Sequence, residues 1–361
     1  MTESLERLNQ EGLVPPPWAG APATVGLVTD DAVDLRPKYV GALLGGAVGD
    51  ALGRPAEGRS RQEVGRRHGV LRDFLPWSGW QEGPQGTFTD DTQLSLCVAE
   101  CLLAGGGRLD PADLGRRFVA WLPVGRGKGV ATTAAVRRLG DGVPWDVAGE
   151  PSAGNGAAMR VAPIGLAHRS DVDFLRRDAA LSAVVTHHHP MAVASAVMQA
   201  FLTAWCVHRA PGSLDSEALV SDLEAATCDL FDPGEPGTWP GAGPEPIRLL
   251  DRVRDVPTLL RLEPGEAFDH FYNGAFVLET LPSALWCFLH SPEDAEQVIV
   301  TAVNGGRDAD TVAAMAGTLV GAYLGEEALP ARWREDLEDV GRIAGLGREL
   351  YRLADERAGR R

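Results

Sequence analysis

Two segments of the sequence place carboxylates and a hydroxyl directly ahead of an apolar run. They read "TFTDDTQLSL" from residue 87 and "RDADTVAAMAG" from residue 307. Neighbouring carboxylates repel each other, so a chain that holds them together needs a cation or the positive end of a helix beside them. Each segment offers two carboxylates and one threonine hydroxyl, and the six side chains are Thr89, Asp90, Asp91, Asp308, Asp310 and Thr311.

Two interpretations of these segments are open from the residues alone. Each segment could simply begin a helix, where acidic and hydroxyl side chains suit the unpaired backbone N–H groups. If instead the two helix ends meet, four carboxylates converge, and cations must neutralise them. Donors that are all oxygen favour Mg²⁺ or Mn²⁺, or Ca²⁺, over zinc. Four carboxylates favour a pair of cations about 3.5–4 Å apart, an arrangement that is common in hydrolysis.

The elements that must position these side chains are predicted to be helices. Long runs such as "AALSAVVTHHHPMAVASAVMQAFLTAWCVHRA" are too long for strands and are rich in alanine, and strict alternation is rare. In "GALLGGAVGDALG", glycines recur at 41, 45, 49 and 53, which puts them on one ridge of a helix. Such a ridge predicts that another backbone packs very close to it. The Pro- and Gly-rich residues 231–246 predict a surface loop.

Composition bounds the class of protein and its location. The 361 residues carry 50 acidic and 34 basic side chains, and the net charge of −16 argues against broad binding to phosphate backbones. The five cysteines form no C-x-x-C pair, which favours reduced thiols and a cytoplasmic protein. The sequence predicts no signal peptide and no membrane span. Residues 1–36 predict a loosely ordered leader, and residues 37–361 predict one domain.

Six motifs in order resemble the ADP-ribosylglycohydrolase family over most of the chain, from about residue 39 to 325. They read "GALLGGAVGDALGRPAEG", "GTFTDDTQLSL", "SAGNGAAMRVAPIGL", "VTHHHPMAVASA", "FVLETLPSALW" and "NGGRDADTVAAMAGTLVGAYLG". The resemblance implies a single compact, orthogonally packed all-α bundle. It also implies a site for two Mg²⁺ or Mn²⁺ ions and cleavage of an N- or O-glycosidic bond between ADP-ribose and its acceptor. The metal ligands of the family fall on the six residues named above.

The resemblance also implies roles for further residues. Glu57 matches a glutamate on a mobile loop near the metals, and we expect it to share acid–base work with Asp90 and Asp310. Gly58 departs from the aromatic or apolar residue that relatives often carry there, so the loop could close differently. Of three consecutive histidines, one is expected near the pocket, and the trio is not expected to bind metal. The predicted ADP-ribose contacts are Gly154, Asn155, Gly156, Met159 and His187.

The acceptor is the least determined part of this prediction. A modified protein side chain such as arginine is the default, while serine, a nucleic-acid base and a free small molecule are alternatives. A second alternative is a member that binds metal or ADP-ribose without catalysis, although all six ligand positions are intact. A third is a phosphatase that uses the same cations, which the Asn155 motif and the order of the motifs disfavour.

Overall fold

Helices make up the regular secondary structure of the part of the chain that the structure describes. The computed structural model describes residues 2–18, 20–29, 33–76 and 83–358. Its α-helices are α1 Thr2–Gln10, α2 Arg36–Gly53, α3 Arg61–His68, α4 Asp90–Ala104, α5 Pro111–Trp121, α6 Val130–Gly140, α7 Trp145–Ala148, α8 Ala162–Ala167, α9 Val172–Val184, α10 Pro190–Val207, α11 Ser216–Thr227, α12 Leu249–Arg254, α13 Pro264–Phe271, α14 Val277–His290, α15 Ala295–Val303, α16 Ala309–Leu324, α17 Ala331–Asp336 and α18 Val340–Ala358.

Short 3-10 helices and isolated bridges complete the secondary structure. The 3-10 helices are Pro22–Val25, Arg54–Ala56, Asn155–Arg160, Val256–Leu259 and Glu326–Ala328. Within the described residues no strand forms, and four isolated bridges join loops. The predicted all-α fold is therefore confirmed.

The glycine ridge of α2 packs against the backbone of α16. A methyl group on Gly41 would lie 2.5 Å from the carbonyl oxygen of Gly321, and one on Gly45 would overlap the carbonyl of Gly317. A methyl group on Gly53 would overlap the backbone of Asp310, so the C-terminal end of α2 meets the N-terminal end of α16. The predicted close approach is present, and the antiparallel pair brings the acidic start of α16 beside the end of α2.

Helix α10 forms the middle of the core. It contacts α8, α9, α11, α14 and α16, and its side chains are buried almost throughout. Its 18 residues are long and apolar enough to cross a membrane, yet 94% of them are buried inside the protein. This burial is what a central helix of a bundle requires, since such a helix must be apolar on all faces.

The segment ahead of α2 packs partly onto the bundle. Leu8 in α1 is fully buried, and Leu13 is nearly so. Arg7 forms a 2.7 Å ion pair with Asp146 of α7, and Glu11 lies 3.0 Å from Nε2 of His188. These contacts tie the leader to the segments around α7 and α10, and the division of the chain at residue 36 stays a prediction.

Candidate active site

The first acidic segment forms the N-terminus of α4, and a third carboxylate caps it. Thr89 is the N-cap residue, but its own side chain does not cap the helix. Asp50 of α2 does so instead, accepting hydrogen bonds from the backbone N–H of Thr89 (2.9 Å) and of Thr92 (3.0 Å). The hydroxyls of both threonines also donate to Asp50, at 2.8 and 2.6 Å. Because Asp50 accepts from these N–H groups, the side chains of Asp90 and Asp91 are not needed to cap the helix.

The second acidic segment forms the N-terminus of α16. Asp308 is the N-cap residue, and its backbone N–H donates to the carbonyl of Asn273 at 3.1 Å. The amide of Asn155 donates to the Asp308 carboxylate. Asp310 lies in the first turn of α16 and accepts from the backbone N–H of Thr311 at 3.0 Å. The Asn155 contact joins the Gly-rich turn to the acidic segment.

The carboxylates of the two segments are close enough to repel one another. Burial raises the pKa of Asp50 and Asp308 to about 6 and that of Asp310 to about 7. The pKa values of Asp90 and Asp91 lie well above the ordinary range, first because of burial and then because of the other carboxylates. Both segments therefore contribute to one buried acidic cluster, as the convergence hypothesis requires.

Glu57 reaches this cluster from a loop that follows α2. One carboxylate oxygen each of Glu57, Asp308 and Asp310 lie within 4.8 Å of one another. Arg54 forms an ion pair with Glu57. The loop is held against the segment before α16, because Gly58 N donates to the carbonyl of Arg307 at 2.7 Å. The predicted loop glutamate therefore sits beside the acidic cluster in this structure.

The Gly-rich turn lies against the segment that precedes α14. Gly154 forms an antiparallel bridge with Phe276, and the backbone N–H of Asn155 donates to the carbonyl of Ala275 at 3.0 Å. The Asn155 amide also donates to the hydroxyl of Thr280 at 3.0 Å. The Asn155 side chain thus links the turn to Asp308 and α14, and its contact with ADP-ribose stays a prediction.

Met159 and His187 lie on either side of this turn. Met159 is half-buried and lines a small cavity together with Asp91 and Thr92. His187 is buried behind the turn, and a methyl group on Gly156 would lie 2.8 Å from its Cε1 atom. Burial and the charge of a nearby arginine lower the pKa of His187 to about 3, so the ring is neutral.

The three consecutive histidines face separate partners. His188 lies 3.0 Å from the carboxylate of Glu11. His189 is the N-cap residue of α10 and lies 3.3 Å from Glu235. Among the described residues, the one group of three or more possible metal-ligating side chains includes none of the histidines. The expectation that the trio does not bind metal stays a prediction.

The sequence reasoning missed three groups that shape the site. Asp50 is fully buried beneath the cluster, and its signal was a lone carboxylate in a helix of Gly, Ala, Val and Leu. Glu279 of α14 is buried and accepts a hydrogen bond from the hydroxyl of Thr238. Its charge is a smaller cause, next to burial, of the raised pKa of Asp308. The backbone N–H of Gly129, at the start of α6, donates to Asp90 at 3.1 Å. No local pattern marks Gly129.

The donor set of the cluster fits hard cations. All the converging side-chain donors are oxygen atoms, which Mg²⁺ and Mn²⁺ prefer. Within the described residues, the buried Oδ1 atom of Asp91 has no hydrogen-bond partner. A buried carboxylate oxygen without a donor is costly unless a cation binds it. The cluster therefore has both the chemistry and an open ligand position for divalent ions.

Comparison with known proteins identifies the family of this chain. The sequence pattern of the ADP-ribosylglycohydrolase family matches residues 31–360. ADP-ribosylhydrolase ARH3 of Gallus gallus is 30% identical over 348 residues, which cover 88% of this chain and 93% of that protein. The ADP-ribosyl-[dinitrogen reductase] glycohydrolase of Rhodospirillum rubrum is 30% identical over 325 residues, which cover 89% and 95%.

A solved structure supports the same assignment. It is described as an ADP-ribosylglycohydrolase-related protein complex, and it superposes with a TM-score of 0.68 at 31% identity. The match covers 89% of this chain and 99% of the solved one. The chain belongs to the ADP-ribosylglycohydrolase family and is a glycosidase-type hydrolase with that family's all-α fold.

Proposed function

We propose that the protein uses two divalent cations, Mg²⁺ or Mn²⁺, to cleave the glycosidic bond between ADP-ribose and a modified protein side chain such as arginine. The observation that carries this proposal is the buried cluster in which Asp90, Asp91, Asp308 and Asp310 approach one another next to the Gly-rich turn. A protein that buries so many carboxylates together needs positive charge there.

The residues that would hold the cations are the two matched sets at the helix ends. Thr89, Asp90 and Asp91 would contribute from α4, and Asp308, Asp310 and Thr311 from α16. When bound, the cations supply charge neutralisation and Lewis acidity beside the ribose. Asp50 belongs to neither set and holds the start of α4 in place by accepting from four donor groups, the backbone N–H and the hydroxyl of Thr89 and of Thr92.

The protein's own groups bind the substrate and move the proton. Gly154, Gly156 and Met159 would line the ADP-ribose pocket, while Asn155 fixes the turn to Asp308. Glu57 would take a proton from the attacking water or deliver one to the leaving group, and Asp90 and Asp310 are the alternatives. The bond that breaks joins C1″ of the ribose to the acceptor, through a transition state with oxocarbenium character.

An acceptor on a protein is supported by one relative. By its name, the Rhodospirillum rubrum protein acts on ADP-ribosylated dinitrogen reductase, which is a protein. Arginine is the default because a relative from Serratia proteamaculans is, by its name, an ADP-ribosylarginine hydrolase. Serine, a nucleic-acid base or a small molecule remains the alternative acceptor, and a binder without catalysis is the alternative class.

A panel of acceptors tests this proposal. Peptides ADP-ribosylated on arginine or serine, ADP-ribosylated DNA ends and O-acyl ADP-ribose would be treated with the protein and Mg²⁺ or Mn²⁺. We expect release of free ADP-ribose to be fastest from the arginine peptide and to stop in chelator. Free ADP-ribose should bind and inhibit in the presence of metal. Binding without release from any acceptor would favour the non-catalytic alternative.

We also propose a cytoplasmic location. All five cysteines are free in the structure, which supports a reducing compartment. Fractionation of the native host with an antibody to the protein tests this, and recovery in an extracellular fraction would contradict it.

A further inference from the structure

Arg160 is a fully buried guanidinium whose hydrogen bonds, among the described residues, all go to carbonyl and hydroxyl oxygens. It lies directly behind the Gly-rich turn, over the ring of Phe118 at 4.8 Å. Its Nη1 donates to the carbonyl of Gly156 at 3.0 Å. Its Nη2 donates to the carbonyl of Ser182 at 2.6 Å and to the hydroxyl of Thr186 at 2.8 Å. One side chain thus holds both the turn and the segment that leads to His187.

The hydroxyl of Thr186 connects Arg160 to the imidazole of His187. Its oxygen lies 2.8 Å from Nδ1 of His187. Since Arg160 occupies one lone pair of that oxygen and polarises it, the hydroxyl proton is best directed at Nδ1. A neutral ring that accepts at Nδ1 must carry its proton on Nε2. The contact therefore selects one tautomer.

The backbone fixes the direction of the ring. Glu150 N donates to the carbonyl of Thr186 at 2.9 Å, and His188 N donates to the carbonyl of Glu150 at 2.7 Å. These bonds form a parallel bridge between Glu150 and His187. A methyl group on Gly154 would lie 3.7 Å from Nε2 of His187, so Nε2 points toward the turn. In the described part of the chain, Nε2 has no hydrogen-bond partner.

We propose that Arg160 and Thr186 are positioning residues that hold His187 as a neutral Nε2–H donor to an oxygen atom of bound ADP-ribose. The ligand part of this inference rests on the proposed function, whereas the tautomer is a property of the protein alone. The low pKa of His187 agrees with it, because burial and the charge of Arg160, followed by His189, all disfavour a second proton. In a charged ring both nitrogens carry a proton, so Nε2 would no longer be the one donor.

The tautomer can be measured without substrate. Nitrogen-15 NMR of histidine-labelled protein distinguishes Nε2–H from Nδ1–H rings, and the His187→Leu variant identifies the signal. We expect the Nε2–H form at pH 7 in the wild type and in Thr186→Ser. Thr186→Val keeps the shape but removes the hydroxyl that stabilises an unprotonated Nδ1, so the fraction of the Nδ1–H form should rise above that of the wild type. A protonated or Nδ1–H ring in the wild type would overturn the proposal.

Calorimetry with ADP-ribose and Mg²⁺ tests the ligand part. Thr186→Val should weaken binding about tenfold, the usual scale for one hydrogen bond, and Thr186→Ser should restore it. Thr227→Val is the matched control, since among the described residues its buried hydroxyl donates only to the carbonyl of Leu223 in its own helix, at 2.7 Å. If Thr186 acts through His187, the double variant with His187→Leu should lose no more than His187→Leu alone.

The outcomes separate this inference from the proposed function. Additive losses in the double variant would mean that Thr186 supports the fold and not the ring, and would overturn the inference. Failure of the wild type to bind ADP-ribose would overturn the proposed function together with the ligand part. The assignment of the tautomer would then still be decided by the NMR result.

Discussion

Replacement of Asp310 by asparagine should stabilise the metal-free protein at alkaline pH. Burial, followed by repulsion from Asp308, raises the pKa of Asp310 from the ordinary value of 3.8 to about 7. Between these values the folded protein holds a proton that the unfolded chain has lost, so stability falls as pH rises through this window. At pH 8 the folded protein carries the full cost of the charge, on the order of 4 kcal/mol.

Asparagine removes that cost and keeps the shape and the oxygen that accepts from Thr311. In chelator at pH 8 we expect Asp310→Asn to raise Tm by about 5 °C, taking about 2.1 cal/mol/K of unfolding entropy per residue. At pH 5 the folded wild type is already protonated at Asp310, so the gain should shrink to about 2 °C. Saturating Mg²⁺ should reverse the order, because it stabilises only a protein that binds it.

Scanning fluorimetry at the two pH values, with chelator or with Mg²⁺, provides the measurement. Asp141→Asn is the matched control, because this aspartate is exposed at the end of α6 and should change Tm at neither pH. Turnover should be lost in Asp310→Asn and retained in the control. A metal-free Asp310→Asn protein that melts no higher than the wild type at pH 8 would refute the reasoning that the cluster stores repulsion.

Three further predictions concern other parts of the site and its frame. Glu57→Gln should lower kcat about 10²-fold while ADP-ribose affinity changes little, as steady-state kinetics and calorimetry would show; an unchanged kcat would remove Glu57 from the acid–base role. Gly45→Ala should cost about 3 kcal/mol in urea denaturation, whereas Gly65→Ala, with open space around it, should gain about 0.5–1 kcal/mol. Asp50→Asn should weaken Mg²⁺ binding in a titration, because one of the two oxygens that accept from Thr89 and Thr92 would be replaced by an NH2 group, which donates; unchanged affinity would count against its capping role.

The sequence predicted the helices that carry the site where residue type and spacing alone are informative. The glycine ridge in α2 indicated a close backbone, because no other residue allows such an approach. It could not name the partner, since Gly317 and Gly321 in α16 lie far along the chain. The matched Thr/Asp sets suggested a convergent cluster but left two ordinary helix starts equally open, because acidic side chains are favourable at any helix N-terminus and repel only where they meet.

The sequence was silent where a role depends on contacts between distant segments. No local pattern marks the role of Asp50, because the four groups that donate to it lie at the start of α4, some forty residues later. The ADP-ribose contact of Asn155 stays a prediction, while the donation of its amide to Asp308 had no signal in the sequence, because the two residues lie far apart along the chain. Arg160 looked like an ordinary polar residue, because nothing local shows that its guanidinium is fully buried. In each case tertiary packing, and not local pattern, determines the role.

The backbone contact between α2 and α16 has a consequence for the kind of ion that the cluster accepts. Helices kept apart by side chains can shift when those side chains change rotamer. Glycines whose backbones are in direct contact have no side chains that could change rotamer, so the two helices keep one spacing. The start of α16 is therefore held at a fixed depth against Gly53. A rigid cage discriminates between ions by radius, because it cannot widen around a larger one. We expect the cluster to bind ions of the size of Mg²⁺ or Mn²⁺ more tightly than Ca²⁺, because the longer Ca²⁺–oxygen distances would require the ligands to move apart.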